Sequence, residues 1–134
     1  GAWKSATNDE FNVSESRDSI QVFSIYIDIP SCGASHYKIT HTTTEPIVNN
    51  HFSFGGSFYA DVTFDSETTA HGYDGLNNFT VPGCVSGSGG PWYFTATWQS
   101  STPLPFAVRR PVNGPNIVEP VSPSDRPPRS IAPR

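Results

Sequence analysis

Methionine is absent from the 134-residue chain, cysteine occurs only twice, and charged residues make up only 15 %. No apolar run is long enough to cross a bilayer as a helix, and no signal-peptide pattern is present. For a secreted protein this implies a leader already removed. The sequence also lacks a C-x-x-C pair, the H-E-x-x-H pattern of zinc hydrolases, the G-x-S-x-G elbow of α/β-hydrolases and the D-x-D-x-D-G loop of EF-hands. Helical periodicity is found nowhere. No nucleophile, base or metal set stands out, so the expectation is a non-catalytic protein without a cofactor.

What is present points to β-structure. Aromatics reach 13 %, and Thr, Ser and Asn are plentiful. That mix suits a sheet with rings and branched side chains inside and hydroxyls outside. In the stretch GSFYADVTFDSETTAHGYDG, Phe58, Ala60, Val62 and Phe64 fall on one side of an extended chain. Tyr59, Asp61, Thr63 and Asp65 fall on the other. DSETT then breaks the pattern, and the chain returns through Ala70–Tyr73. Ser19–Ile29 alternates in the same way, with Phe23, Ile25, Ile27 and Ile29 inward, and reads as a central strand.

Further strands are expected at Ala2–Ser5, Phe11–Ser14, Tyr37–Thr43, Ile47-Val48, Phe52–Phe54 and Phe79–Val81. The last is Trp92–Gln99, with Trp92, Phe94, Ala96 and Trp98 on the core face. Ser86–Gly90 reads as a glycine-rich loop. Eight or nine short strands at close spacing predict an antiparallel β-sandwich, immunoglobulin-like or jelly-roll-like, over residues 1–102.

From Pro103 the composition changes. Nine of the thirteen prolines lie between Pro103 and Pro133. Proline lacks an amide donor and has a fixed φ, so residues 103–134 are expected to form an extended tail. About thirty residues at roughly 3.1 Å each would reach on the order of 90 Å. The charge splits at the same place: three cations against ten acids up to residue 102, five arginines against two acids beyond it. An acidic head and a basic tail suggest that the tail meets a head, its own or a neighbour's. Five arginines without interleaved aromatics in an acidic protein argue against nucleic acid.

Cys32 and Cys84 both lie beside glycine in turn-like sequence. A disulfide between them would close a loop of about fifty residues, stabilise by roughly 4 kcal/mol, and place the protein outside the cytosol. Free thiols or a metal pair are the alternatives.

Residues 1–99 resemble a recurring, mostly uncharacterised β-sandwich domain of secreted and surface-anchored bacterial proteins. The resemblance rests on GAW near the start, F-x-V at Phe11–Val13, and a Cys in the loop after the long strand. EPIVNNHFSF, TFDSETTAHG, the second Cys and the closing FTATW complete it. It implies a stable extracellular domain, often beside low-complexity linkers, and brings no catalytic residues. The Asp, Glu and His of DSETTAHG depart from the small residues usual in that turn, which leaves open a binding role particular to this chain.

Several groups of residues are candidates for chemistry. Asp61, Asp65, Glu67 and Asp74 are the densest carboxylates and a candidate calcium set; the alternative is a solvated acidic face. His36, His41, His51 and His71 read as solvent-facing strand histidines. Tyr59, Tyr73, Tyr93 and the tryptophans raise sugar stacking by outward-facing rings; Tyr59 and Tyr93 lie opposite the Phe and Trp rows, the right place for it, while Trp92 and Trp98 read as core. Asn12 and Asn78 begin glycosylation sequons.

Two functions follow. One is an extracellular structural subunit of a pilus-like fibre or surface assembly. Its tail, through Phe106, Val108, Arg109, Arg110, Ile117 and Val118, would complete the sheet of a neighbouring copy or surface protein. The other is a glycan- or surface-ligand-binding module tethered by that tail.

Overall fold

The computed structural model describes residues 1–7, 9–29, 35–81, 83–102, 116–121 and 129–133. Among these residues the chain is all β, with no helix. The strands are β1 (Ala2–Ser5), β2 (Asp9–Val13), β3 (Ser19–Ile29), β4 (Ser35–His41), β5 (Glu45–Pro46) and β6 (His51–Phe54). They continue with β7 (Phe58–Phe64), β8 (Thr69–Val81), β9 (Val85–Ser100), β10 (Asn116–Val121), β11 (Arg129–Ser130) and β12 (Ala132–Pro133). They form one sheet in the order β10-β4-β3-β2-β1-β9-β8-β7-β6, with β5 and β11 added to β3 and β12 to β9. Every pairing is antiparallel except β11 on β3.

Local sequence explains the elements. In β7 the alternation places Phe58, Ala60 and Val62 in the core and leaves Tyr59, Asp61 and Thr63 partly exposed. Asn49 and Asn50 both take positive φ, 53° and 59°, in the two-residue turn that bridges Val48 to His51. Asparagine tolerates that conformation better than most residues. In the DSETT turn, the Thr69 carbonyl accepts hydrogen bonds from the Asp65 and Ser66 amides.

The sheet is strongly curled. Phe23 on β3 and Phe52 on β6 lie six strand positions apart in the sheet order, a separation of about 29 Å if the sheet were flat. Their ring centroids are 6.1 Å apart. Phe23 also meets Phe11, Phe54, Phe58 and Phe94, so the inner faces of the two ends close on one aromatic core. Edge-to-face contacts dominate, the geometry favoured by the ring quadrupole.

Segments from beyond Thr102 join this sheet. β10 lies along β4 residue for residue, from Asn116 opposite His41 to Val121 opposite His36, and buries Ile117. Register sets Glu119 opposite Lys38, whose Nζ is 3.2 Å from Glu10 Oε1. β11 and β12 fill a second gap. The β1–β2 hairpin sits between β3 and β9 but stops short: β2 begins opposite Ile25, and β1 ends opposite Ala96. Past that point β11 pairs with Ile27 and Asp28 of β3, and β12 with Gly87 and Ser88 of β9, with Ile131 buried in the core.

Several expectations are corrected. Ser86–Gly90 is not a loop but part of β9, with Gly87 opposite Phe79 and Gly89 opposite Leu76. Glycine is needed there because the Trp92 ring lies where a side chain at Gly89 would go, 2.6 Å from the Cβ position. Ala70–Tyr73 and Phe79–Val81 are two ends of one long β8 with bulges between them. Beside β3, pairing falls on Glu45–Pro46 rather than Ile47-Val48. Trp98 is 46 % exposed, because the β8–β9 ladder stops at Thr69–Thr97 and leaves it at the rim.

Candidate functional site

The outer face of β6–β9 is built by register. One row runs Ser53, Asp61, Tyr73, Tyr93 across the four strands; the next runs His51, Thr63, His71, Thr95. Tyr59 lies one step along β7, opposite Gly75. A Cβ at Gly75 would collide with the Tyr59 phenol, so this glycine gives the ring its seat. Tyr73 stands between the other two tyrosines, 6.4 Å from Tyr59 and 5.6 Å from Tyr93 between ring centroids. Three rings thus adjoin on one face, and Tyr93 is 75 % exposed.

Two histidine–aspartate pairs flank the rings. His51 Nε2 is 2.8 Å from Asp61 Oδ1, and His71 Nδ1 is 2.8 Å from both Asp65 carboxylate oxygens. Each pair is partly exposed, so it orients side chains more than it stabilises the fold. Burial, with Asp74 second, raises the Tyr59 phenol above its ordinary value. It therefore stays protonated, a hydrogen-bond donor, at neutral pH.

Beside Tyr93 lies a shallow depression of about 470 Å³, lined by Ala6, Thr7, His71, Gly72, Tyr93, Phe94 and Thr95. Its origin is topological. β1 leaves β9 at Ser5–Ala96, and β12 rejoins β9 only at Ser88. Between those points the β9 edge has no partner strand on that side among the described residues. The site combines exposed rings, oriented imidazoles and carboxylates, and threonine hydroxyls. Such a surface can stack on an apolar ring face and hydrogen-bond its rim.

The four carboxylates singled out for calcium are not gathered. Asp61 and Asp65 pair with the histidines, exposed Glu67 lies 3.3 Å from Arg17, and Asp74 is fully buried in the sheet. Among the described residues no group of three or more His, Cys, Asp or Glu is placed to hold a metal ion.

The histidines separate as well. His41, expected to face solvent, is 4 % exposed and stacks on Phe54 with centroids 3.7 Å apart. It shares the inward parity of Ile39, which sequence spacing offered as a signal. Burial lowers its pKa, against opposing contributions from Glu45, whose Oε1 is 3.7 Å away, and from Asn116. His36 is half-buried opposite Asp28.

Of the two sequons, Asn12 is 4 % exposed within β2, whereas Asn78 is exposed at a β8 bulge with φ 47°. Cys84 is disulfide-bonded; Cys32 lies outside the described residues, as do Phe106, Val108, Arg109 and Arg110. Ile117 and Val118 lie in β10 against the chain's own core. Thr95, which the sequence did not single out, joins the tyrosine face; strand register brings it and Tyr73 beside Tyr59 and Tyr93.

Compared with known proteins, the chain matches no family model, no curated protein and no solved structure.

Proposed function

We propose that this chain is a non-catalytic extracellular module that binds carbohydrate through the outer face of β7–β9. The observation that carries the proposal is the adjoining set of Tyr59, Tyr73 and Tyr93, with Tyr93 exposed beside a depression and paired histidines at hand. Tyrosine offers a large apolar face and a polar tip at low entropic cost, which suits a ligand with apolar ring faces and a hydroxyl rim. Extracellular placement is supported by the resemblance to secreted bacterial domains and by the Cys32–Cys84 disulfide we propose. We take the curled sheet to be a two-layer sandwich of the immunoglobulin-like or jelly-roll-like kind.

The test is equilibrium binding to a panel of soluble oligosaccharides and insoluble polysaccharides. Saturable binding to at least one of them is expected, with Tyr93→Ala weakening it at least about tenfold, or 1.4 kcal/mol. An unchanged affinity in Tyr93→Ala, or no binding across the panel, would remove the proposal.

A second function is favoured by a separate observation: a structural subunit of a surface assembly whose C-terminal segment completes a neighbour's sheet. Asn116–Val121 behaves as a donated strand, joined to β9 through residues 101–115 and laid along an existing edge. In a single chain it completes its own sheet.

A further inference from the structure

We propose that β10 is exchangeable between copies, so that Asn116–Val121 of one copy takes the β4 edge of a second copy in the register it uses at home. The inference rests on the structural-subunit function and names its contact.

Four observations support it. First, among the described residues β10 ends the sheet order and is paired with β4 alone. It carries Pro120, which removes an amide donor. Second, its connection to β9 is fifteen residues, 101–115, with four prolines. An extended chain of that length can span up to roughly 46 Å, against a radius of gyration of about 13 Å for a domain of 100 residues. A neighbour's edge is therefore within reach.

Third, the junction where β10 begins is poorly satisfied. Asn116 lies opposite His41, and His41 Nε2 and Asn116 Oδ1 are both buried with no hydrogen bond of ordinary length among the described residues; Glu45 Oε1 is 3.7 Å from the imidazole. Buried polar atoms left in that state weaken the place where they sit, which makes this end of the strand a point of release. Fourth, residues 1–102 carry a net charge of −7 and residues 103–134 of +3. Crossed tails place positive segments between acidic heads.

An exchanged strand recovers the same ladder and the same burial of Ile117, so concentration decides between the two arrangements. A short linker holds its own strand at an effective concentration of about a millimolar. Exchange is thus expected in crowded, surface-tethered arrays or when chains refold together.

The experiment uses the full chain in two variants, Lys38→Cys and Glu119→Cys, which place thiols at directly opposed positions. The two are unfolded, mixed, refolded together at high concentration and oxidised. The double variant in one chain serves as the folding control. Sedimentation of the unmodified chain is measured alongside.

A covalent dimer bridged between the introduced cysteines, assigned by mass spectrometry of the digest, is the expected result. If the mixture gives no such dimer while the double variant closes within one chain, exchange is overturned. If the unmodified chain still forms oligomers in that case, the structural-subunit function survives by another contact. If it is monomeric, that function falls as well.

Discussion

At the residue scale, His41 is the clearest example of chemistry set by packing. Its ring stacks on Phe54 inside the curl, and burial holds its pKa below the ordinary value of about 6.5. A histidine with a depressed folded pKa binds fewer protons folded than unfolded. Its neutral form therefore supports the fold fully above about pH 6.5, and that support is lost as pH falls from there toward the folded pKa. The groups facing it are Glu45, which opposes the shift, and Asn116. Unfolding free energy is expected to fall as pH drops below about 7, by at most about 1.4 kcal/mol per pH unit from this one proton, and the melting temperature with it; the Gly1 ammonium, whose pKa burial also lowers, acts at higher pH. His41→Phe should flatten that part of the profile. Asp18, whose carboxyl is held low mainly by Ser16 and Ser14 hydroxyls, titrates in a separate and more acidic range. An identical pH profile in His41→Phe would show that the imidazole is not the responsible group.

At the scale of elements, β10 to β12 act as closures rather than as a spacer. β10 covers the β4 edge, while β11 and β12 cover what the β1–β2 hairpin leaves open between β3 and β9. Ending the chain at Thr102 would expose Ile39 and Ile27 near those edges and leave a row of unpaired backbone groups on β4. Loss of buried Ile117 and Ile131 alone removes about 1.5–3 kcal/mol each as an upper bound. The truncated chain is expected to melt well below the full chain and to aggregate through the bared edge. Equal melting temperatures by calorimetry would mean that these segments only rest on the sheet.

The same elements mark what the sequence made legible. Phe58–Ala60–Val62 and Phe23–Ile25–Ile27–Ile29 alternate cleanly, and their strands and core faces follow from that period alone. Ser86–Gly90 misled because glycine reads as a breaker, while its real role depends on a ring elsewhere, that of Trp92 over Gly89. β10 was hidden by proline, which is tolerated at the end of a sheet where one side needs no donors. Tyr59 and Tyr93 were visible as outward residues. That Tyr73 stands between them depends on the β7–β8–β9 register, which is non-local.

At the scale of the whole molecule, the curl gives the chain two unlike surfaces. Inside, nearly all the phenylalanines share one core around Phe23. Outside, the β7–β9 face carries tyrosines, histidine–aspartate pairs and the depression left where β1 departs. The far end of the sheet, β3–β4–β10, carries instead the Glu10–Tyr26–Lys38 cluster: Tyr26 Oη donates to Glu10 Oε1 at 2.9 Å, and Lys38 lies 5.7 Å from the Tyr26 ring centre. Ligand binding and strand exchange are thus assigned to opposite ends of the sheet, and each can fail without the other.

The measurement that bears most directly on the tyrosine face is an amide chemical-shift map of the isotopically labelled full chain, titrated with a soluble oligosaccharide. Saturable shifts confined to Tyr59, Tyr73, His71, Tyr93, Thr95 and the Ala6–Thr7 turn, with β4 and β10 silent, are the expected result. Saturable shifts centred on β4 and β10, or none from any sugar tested, would contradict the assignment of this face as the binding site.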